Sequence, residues 1–250
     1  MATAIDSATC SPLLCPNGTL RASINLGNPI LANKSSTTGE VFGVSVDLSR
    51  ELAKRLGVQL ELKIFDAAAK SVAAVTSNEA DIGFFAIDPL RGEGVSFSAA
   101  YIHIEGCYLV KQNSPLTANE QVDKAGVRIT AAKGSAYDLF LTRNLKNANL
   151  VHSVTSQTVV DTFVQNGSDA AAGVRQQLES DRDRLAATTP LRLVLPSFMV
   201  IQQAMGIPSN RGEAAAQYLR DFVEEMKRSG FVAGSLKRHG IQGAAVAPLT

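Results

Sequence analysis

Tryptophan is absent from these 250 residues and aromatics reach only 6%, so the chain carries little equipment for stacking on nucleobases. An excess of one charge is missing too. There are 24 Lys and Arg against 23 Asp and Glu, a formal net charge of +1 with no surplus to seek a polyanion. Nucleic acid is therefore not an expected partner. No apolar run approaches the roughly 20 residues that a membrane span requires, so membrane insertion is not expected either. Met1 to Gly18 lack both a basic opening and a continuous apolar stretch of the kind an export signal has. As it stands the sequence points to the cytoplasm, with the periplasm as the alternative if a leader has been removed.

Cysteine is scarce as well. With three, Cys10, Cys15 and Cys107, at least one is unpaired, and no Cys-x-x-Cys or neighbouring His supplies a metal-binding spacing. Free thiols are expected, with a Cys10–Cys15 bridge as the alternative, and neither a metal nor a cofactor is implied. What is present is a globular composition: 45% hydrophobic and 19% charged residues, 19 Gly and 9 Pro. At this length folding buries about 70 to 75% of the unfolded surface, so stability needs no cross-link.

Periodicity organises the chain. Residues 1–18, with Pro12, Pro16 and Gly18, read as an irregular arm. Arg21 to Leu26 is a strand ending at Gly27-Asn28-Pro29, followed by a polar loop from Asn33 to Glu40. Leu48, Leu52 and Leu56 recur every four residues, with Lys54 and Arg55 in the last turn and Gly57 behind them, which predicts a helix from Asp47. Val58 to Ile64 alternates with period 2, Ala67 to Ser77 reads as a helix, and Ile82 to Ile87 is an apolar run suited to a strand covered on both faces. The β-α-β-α-β order implies parallel strands joined by helices.

The second half repeats that order. Val127 to Ala131, Leu150 to Val154 and Ala170 to Val174 read as strands; Ser135 to Leu145 and Thr158 to Gln165 read as helices. Leu191 to Leu195 and Val200 to Ile207 add extended segments, and Glu213 to Arg228 is an amphipathic helix. The expected class is α/β in two lobes, each a mostly parallel sheet flanked by helices, with a ligand cleft between them. Lobe 1 takes residues 19–104 and 204–250 and lobe 2 takes 105–203, with hinge crossings near 102–111 and 198–206. A monomer is expected.

Four segments, in order, are Gly39-Glu40-Val41-Phe42-Gly43-Val44-Ser45-Val46-Asp47-Leu48, Asn78-Glu79-Ala80-Asp81-Ile82, Asp88-Pro89-Leu90-Arg91, and Val95-Ser96-Phe97-Ser98-Ala99-Ala100-Tyr101. In these the chain resembles the bacterial extracytoplasmic solute-binding proteins for polar amino acids, over residues 20 to about 240. The resemblance implies a type II periplasmic-binding-protein fold that closes on a small ligand and, if the protein is exported, a membrane permease as partner.

It also implies a site. Arg91 falls where that family's arginine grips the ligand carboxylate, a task suited to the paired donors of a guanidinium fork. Gly134, Ser135 and Ala136 fall where backbone N–H groups at a helix start meet the same carboxylate. The strand before the arginine, Gly83-Phe84-Phe85-Ala86-Ile87, lacks the hydroxyls that hold an α-ammonium in amino-acid-binding relatives. Gly173 and Val174 stand where an acid is expected, and Gly27 and Ala68 where aromatics are. A buried ammonium without acceptors is unfavourable by several kcal/mol. The implied ligand is accordingly a small carboxylate with a different second group, amino-acid-like but not a standard α-amino acid.

Further candidates follow from position. Asn25 and Asn28 lie at the end of the first strand, where open α/β sheets place ligands. Ala86, Phe84 and Tyr101 flank the arginine motif, and Arg175 follows the last strand of the second lobe. Glu105 lies in the first crossing, and Gln202 or its neighbour Gln203 in the second. Glu105, between Ile104 and Cys107, is expected in apolar surroundings that would raise its pKa. The main reading is a binding protein of ABC-transporter type with no reactive step. The alternative is an enzyme on the same fold, a dehydratase or lyase acting on a small carboxylate with Glu105 as general acid. His103, His152 and His239 show no partners in sequence.

Overall fold

The computed structural model describes residues 7–250, with side chains from residue 11 onward. Chain contacts define two units, one running to His103 and resuming over Gln202–Thr250, the other Ile104–Ile201. In chain order the first unit holds α1 (Ser7–Leu14), β1 (Thr19–Asn25), the short antiparallel pair β2 (Asn33–Lys34) and β3 (Val41–Phe42), α2 (Val44–Leu56), β4 (Gln59–Phe65), α3 (Ala68–Thr76), β5 (Ile82–Ala86) and α4 (Pro89–Gly92). The chain passes to the second unit within β6 (Val95–Lys111). There follow β7 (Arg128–Ala132), α5 (Ala136–Asn144), β8 (Asn149–Ser153), α6 (Val159–Asn166), β9 (Ala170–Val174) and α7 (Arg175–Leu185). It returns within β10 (Leu191–Pro208) and closes the first unit with α8 (Glu213–Arg228), α9 (Phe231–Arg238) and β11 (Ala244–Val246).

In the first unit β4, β1 and β5 run parallel, and residues 203–206 of β10 add an antiparallel edge to β5. Ser23 on β1 hydrogen-bonds Ser71 of α3, so its neighbours Ala22 and Ile24, both fully buried, face the other side of the sheet. Helix α2 packs on β1 and β4 through Leu48, Leu52 and Leu56 and stops at Gly57, whose φ of 69° supplies the left-handed cap.

The irregular arm expected over 1–18 is not what forms. Ser7–Leu14 is helical despite Pro12, because burial overrides propensity: Leu14 is fully buried and the helix packs on α2 and α8. Residues 1–6 lie outside the described ones. Helix α9 was not among the expected elements. It is tied down by Asp47 Oδ2, which accepts from Ser235 Oγ at 2.6 Å, Arg238 Nη2 at 2.9 Å and the His239 ring at 3.0 Å.

The second unit repeats the plan, with β8, β7 and β9 parallel and residues 106–109 of β6 antiparallel to β9. Phe198 of β10 stacks on Tyr108 of β6 with ring centroids 4.3 Å apart and also meets Phe140 of α5. The two extended segments expected after Leu191 are one strand, because Pro196 interrupts the pattern without ending it. Cys15 and Cys107 are free and buried, which leaves the alternative Cys10–Cys15 bridge unformed; the Cys10 side chain lies outside the described ones. Burial pushes the Cys107 thiol up to about 11, so it stays protonated near neutral pH.

Candidate functional site

In the first unit, β5 delivers the chain to Asp88, whose Oδ1 accepts the Leu90 N–H at 3.0 Å and starts α4. Pro89 sits in the first turn, where its missing N–H costs nothing. That one turn swings Arg91 back to the strand, and its Nη1 donates to the Ala86 carbonyl at 3.1 Å. Only 6% of Arg91 is exposed. Burial lowers its pKa to about 10, against the pull of Asp88, and the group still stays cationic at neutral pH. The result is a buried guanidinium that keeps its charge at the end of β5.

In the second unit, the candidates Gly134, Ser135 and Ala136 form the start of α5. Ser135 caps α5, its Oγ accepting the Asp138 N–H at 3.1 Å, and Gly134 (φ 71°) turns the chain into the cap. The structure adds a feature that the sequence reading missed. Asp138, 5% exposed, accepts the Gly134 N–H on Oδ2 at 2.8 Å and binds His152 Nε2 on Oδ1 at 2.8 Å. Gly134 is thus already satisfied within its own unit. His152 and His239 do have partners, Asp138 and Asp47 respectively.

The remaining candidates divide. Asn25 Oδ1 accepts the Gly27 N–H and Asn28 Oδ1 the Ile30 N–H, so both amide oxygens are spent on the turns that follow β1. Phe84 and Tyr101 are both buried and meet edge to face at 6.1 Å, with Tyr101 fully buried. Gln202 is exposed, and Gln203 is the buried one of the pair, at 5%.

The expectation for Glu105 is also corrected. Its side chain is 43% exposed and accepts from Arg175 Nη1 at 2.7 Å, while Arg175 Nε reaches Glu179 at 2.9 Å. The apolar enclosure is absent because Glu105 points out of the strand between buried Ile104 and buried Cys107. The two candidates Glu105 and Arg175 serve each other. Among the described residues no cluster of His, Cys, Asp and Glu could hold a metal ion, and no helix is long and apolar enough to cross a membrane.

A family model for bacterial extracellular solute-binding proteins, family 3, matches residues 28–240. The chain belongs to that family. Among curated proteins, a glutamine-binding protein of Geobacillus stearothermophilus is 30% identical over 106 residues, 41% of this chain and 40% of that protein's length. Among solved structures, a binding component of an ABC transporter from Wolinella succinogenes, complexed with lysine, aligns with a TM-score of 0.74 at 22% identity, covering 89% of this chain and 95% of that one. An ancestral amino acid-binding protein described as a precursor of cyclohexadienyl dehydratase aligns with a TM-score of 0.73 at 20% identity, covering 92% and 98%. The type II periplasmic-binding-protein fold expected from the sequence is the fold of this chain, with mostly parallel sheets and flanking helices. Members of this family act outside the cytoplasm, so the family supports the periplasmic alternative over the cytoplasmic one.

Proposed function

We propose that the protein is the substrate-binding component of an ABC transporter of the amino-acid type, working outside the cytoplasm, and that its ligand is a small carboxylate other than a standard α-amino acid. The observation that carries this reading is Arg91, a charged guanidinium only 6% exposed at the family's motif position. Ser135 and Ala136 at the start of α5 are proposed as the second unit's contribution to the same carboxylate. Lysine bound to the Wolinella succinogenes structure supports an amino-acid-like ligand. Ala86 and Phe84 on β5, with Gly173 and Val174 at the end of β9, offer an α-ammonium neither hydroxyl nor carboxylate, which supports a different second group. Against an enzyme, Glu105 is held by Arg175 in partial contact with solvent rather than poised as an acid.

The test is a thermal-shift screen of small carboxylates against wild type and Arg91→Ala. A ligand at about 100 times its Kd adds roughly 2.7 kcal/mol, a shift of several degrees at this size. Wild type is expected to shift with at least one carboxylate and Arg91→Ala with none. Equal shifts in both proteins would remove Arg91 from the site, and NMR showing a hit converted over hours would replace binding with catalysis.

A further inference from the structure

In the first unit, an unpaired polar group stands across the strand pair from the residue that seats Arg91. Gln203 stands in register with Ala86 across the antiparallel pair of β10 and β5. Residues opposed in such a pair project to the same side with Cβ atoms about 4.5–5.5 Å apart, so the Gln203 amide lies beside the methyl of Ala86. The Ala86 carbonyl is the group that seats Arg91. Gln203 is 5% exposed, and its Oε1 is fully buried with no hydrogen-bond partner. A buried amide oxygen left without a donor bears its full desolvation penalty, which is a poor use of a core position unless something arrives to fill it.

We propose that Gln203 is a specificity-determining residue that hydrogen-bonds a hydroxyl of the ligand, so that the protein selects a hydroxycarboxylate. This rests on the reading of Arg91 given above and names the second group of that ligand. The position explains the choice of residue. Ala86 carries no hydrogen-bonding group of its own, and its small side chain leaves room for the longer amide facing it. The chemistry narrows the ligand group. An ammonium only donates and needs a carboxylate to offset its desolvation, whereas Gln203 is neutral. A hydroxyl both donates and accepts, so it satisfies the amide in either orientation. Because Gln203 faces the residue that seats Arg91, the hydroxyl belongs within a few bonds of the carboxylate.

The experiment titrates wild type, Gln203→Leu and Gln203→Met calorimetrically with lactate, malate and 3-hydroxybutyrate. Each is paired with its deoxy analogue (propionate, succinate, butyrate), and the first two also with their amino analogues alanine and aspartate. Wild type is expected to prefer a hydroxy acid over its deoxy partner by about tenfold to a hundredfold. Both variants should lose that preference while binding the deoxy acid as wild type does, and their ligand-free melting temperatures should not fall, since an unpaired buried group has been removed. A preference retained in the variants overturns the proposal. So does a fall in ligand-free stability, or a failure to fold, shared by both variants, because Gln203 would then be a structural residue. If carboxylates bind through Arg91 with no regard to the hydroxyl, only the Gln203 assignment falls; if wild type responds to no carboxylate, the reading of the site falls and takes this one with it.

Discussion

Gly83 of β5 and Gly206 of β10 stand opposite one another, and the Phe85 ring occupies the space that side chains on both would take. A Cβ on Gly83 would lie 2.6 Å from Phe85 Cε2, and one on Gly206 would lie 3.3 Å from Phe85 Cδ2 and closer still to Val95. Phe85 and Val95 belong to one buried cluster with Ala74, Val75 and Ala80, so the ring has nowhere to retreat. Gly206→Ala is therefore expected to overpack this core and cost about 1–3 kcal/mol, lowering Tm by about 2–10 °C. Calorimetric melting of the ligand-free protein checks it, and an unchanged Tm would show that Val95 and the ring are free to move aside.

At neutral pH, Arg91→Lys keeps the positive charge but removes the planar fork. Ligand affinity is expected to fall by tenfold or more with little loss of ligand-free stability. Titration with whichever carboxylate stabilises wild type measures this, and an affinity equal to wild type would mean that the site reads charge and not geometry.

Acid sensitivity is expected at Asp47. Burial alone would raise its pKa, but donors on Ser235, Arg238 and His239 outweigh burial and hold the carboxyl below its usual range. A carboxylate whose pKa is depressed on folding contributes stability that is present above its unfolded value of about 3.9 and is lost as pH falls through the lower folded value. Asp47→Asn should cost about 1.5–3 kcal/mol at pH 7 by weakening the anchor of α9. The gap between wild-type and mutant urea midpoints should then close below about pH 4. A gap that is constant down to pH 2.5 would show that charge plays no part.

Glu105→Gln should leave Tm within about 4 °C of wild type. The Arg175 pair that it breaks is partly exposed on both sides, at 43% and 35%, and such pairs contribute under about 1 kcal/mol. Ligand binding should survive as well. A large loss of affinity in this variant would return Glu105 to the site.

Asp138 holds both the Gly134 N–H and the His152 ring, so Asp138→Ala removes two hydrogen bonds and is expected to cost about 1–3 kcal/mol. Asp138→Asn, which keeps an acceptor for Gly134, should recover part of that. Equal melting of the two variants would show that the backbone N–H contributes nothing.

The fold was readable wherever apolar spacing was regular. Leu48, Leu52 and Leu56 placed α2, the alternation from Val58 to Ile64 placed β4, and Ala216, Leu219, Val223 and Met226 placed α8 on its buried face. Helix α7 escaped because it buries only Leu178 and Asp181 and otherwise presents charge to water. Helix α1 escaped because Pro12 is a local signal, whereas its burial depends on α2 and α8, which are distant in sequence. Among the candidate residues, the motif pointed to Arg91, and the start of a second-half helix pointed to Ser135. Phasing Gln202 against Gln203 required the register of β10 on β5, and the Asp138–His152 contact spans 14 residues with no periodic cue.

The two units also differ in how the ribosome would produce them. The unit over Ile104–Ile201 is one unbroken stretch, whereas the other waits for the antiparallel edge of β5 and for α8 and α9, all of which follow Gln202. At about 5–20 residues per second, the intervening stretch alone occupies several seconds of synthesis. The later-starting unit can therefore reach its native state first, while Phe85 and the β5 edge remain uncovered and open to chaperones or to pairing with another chain.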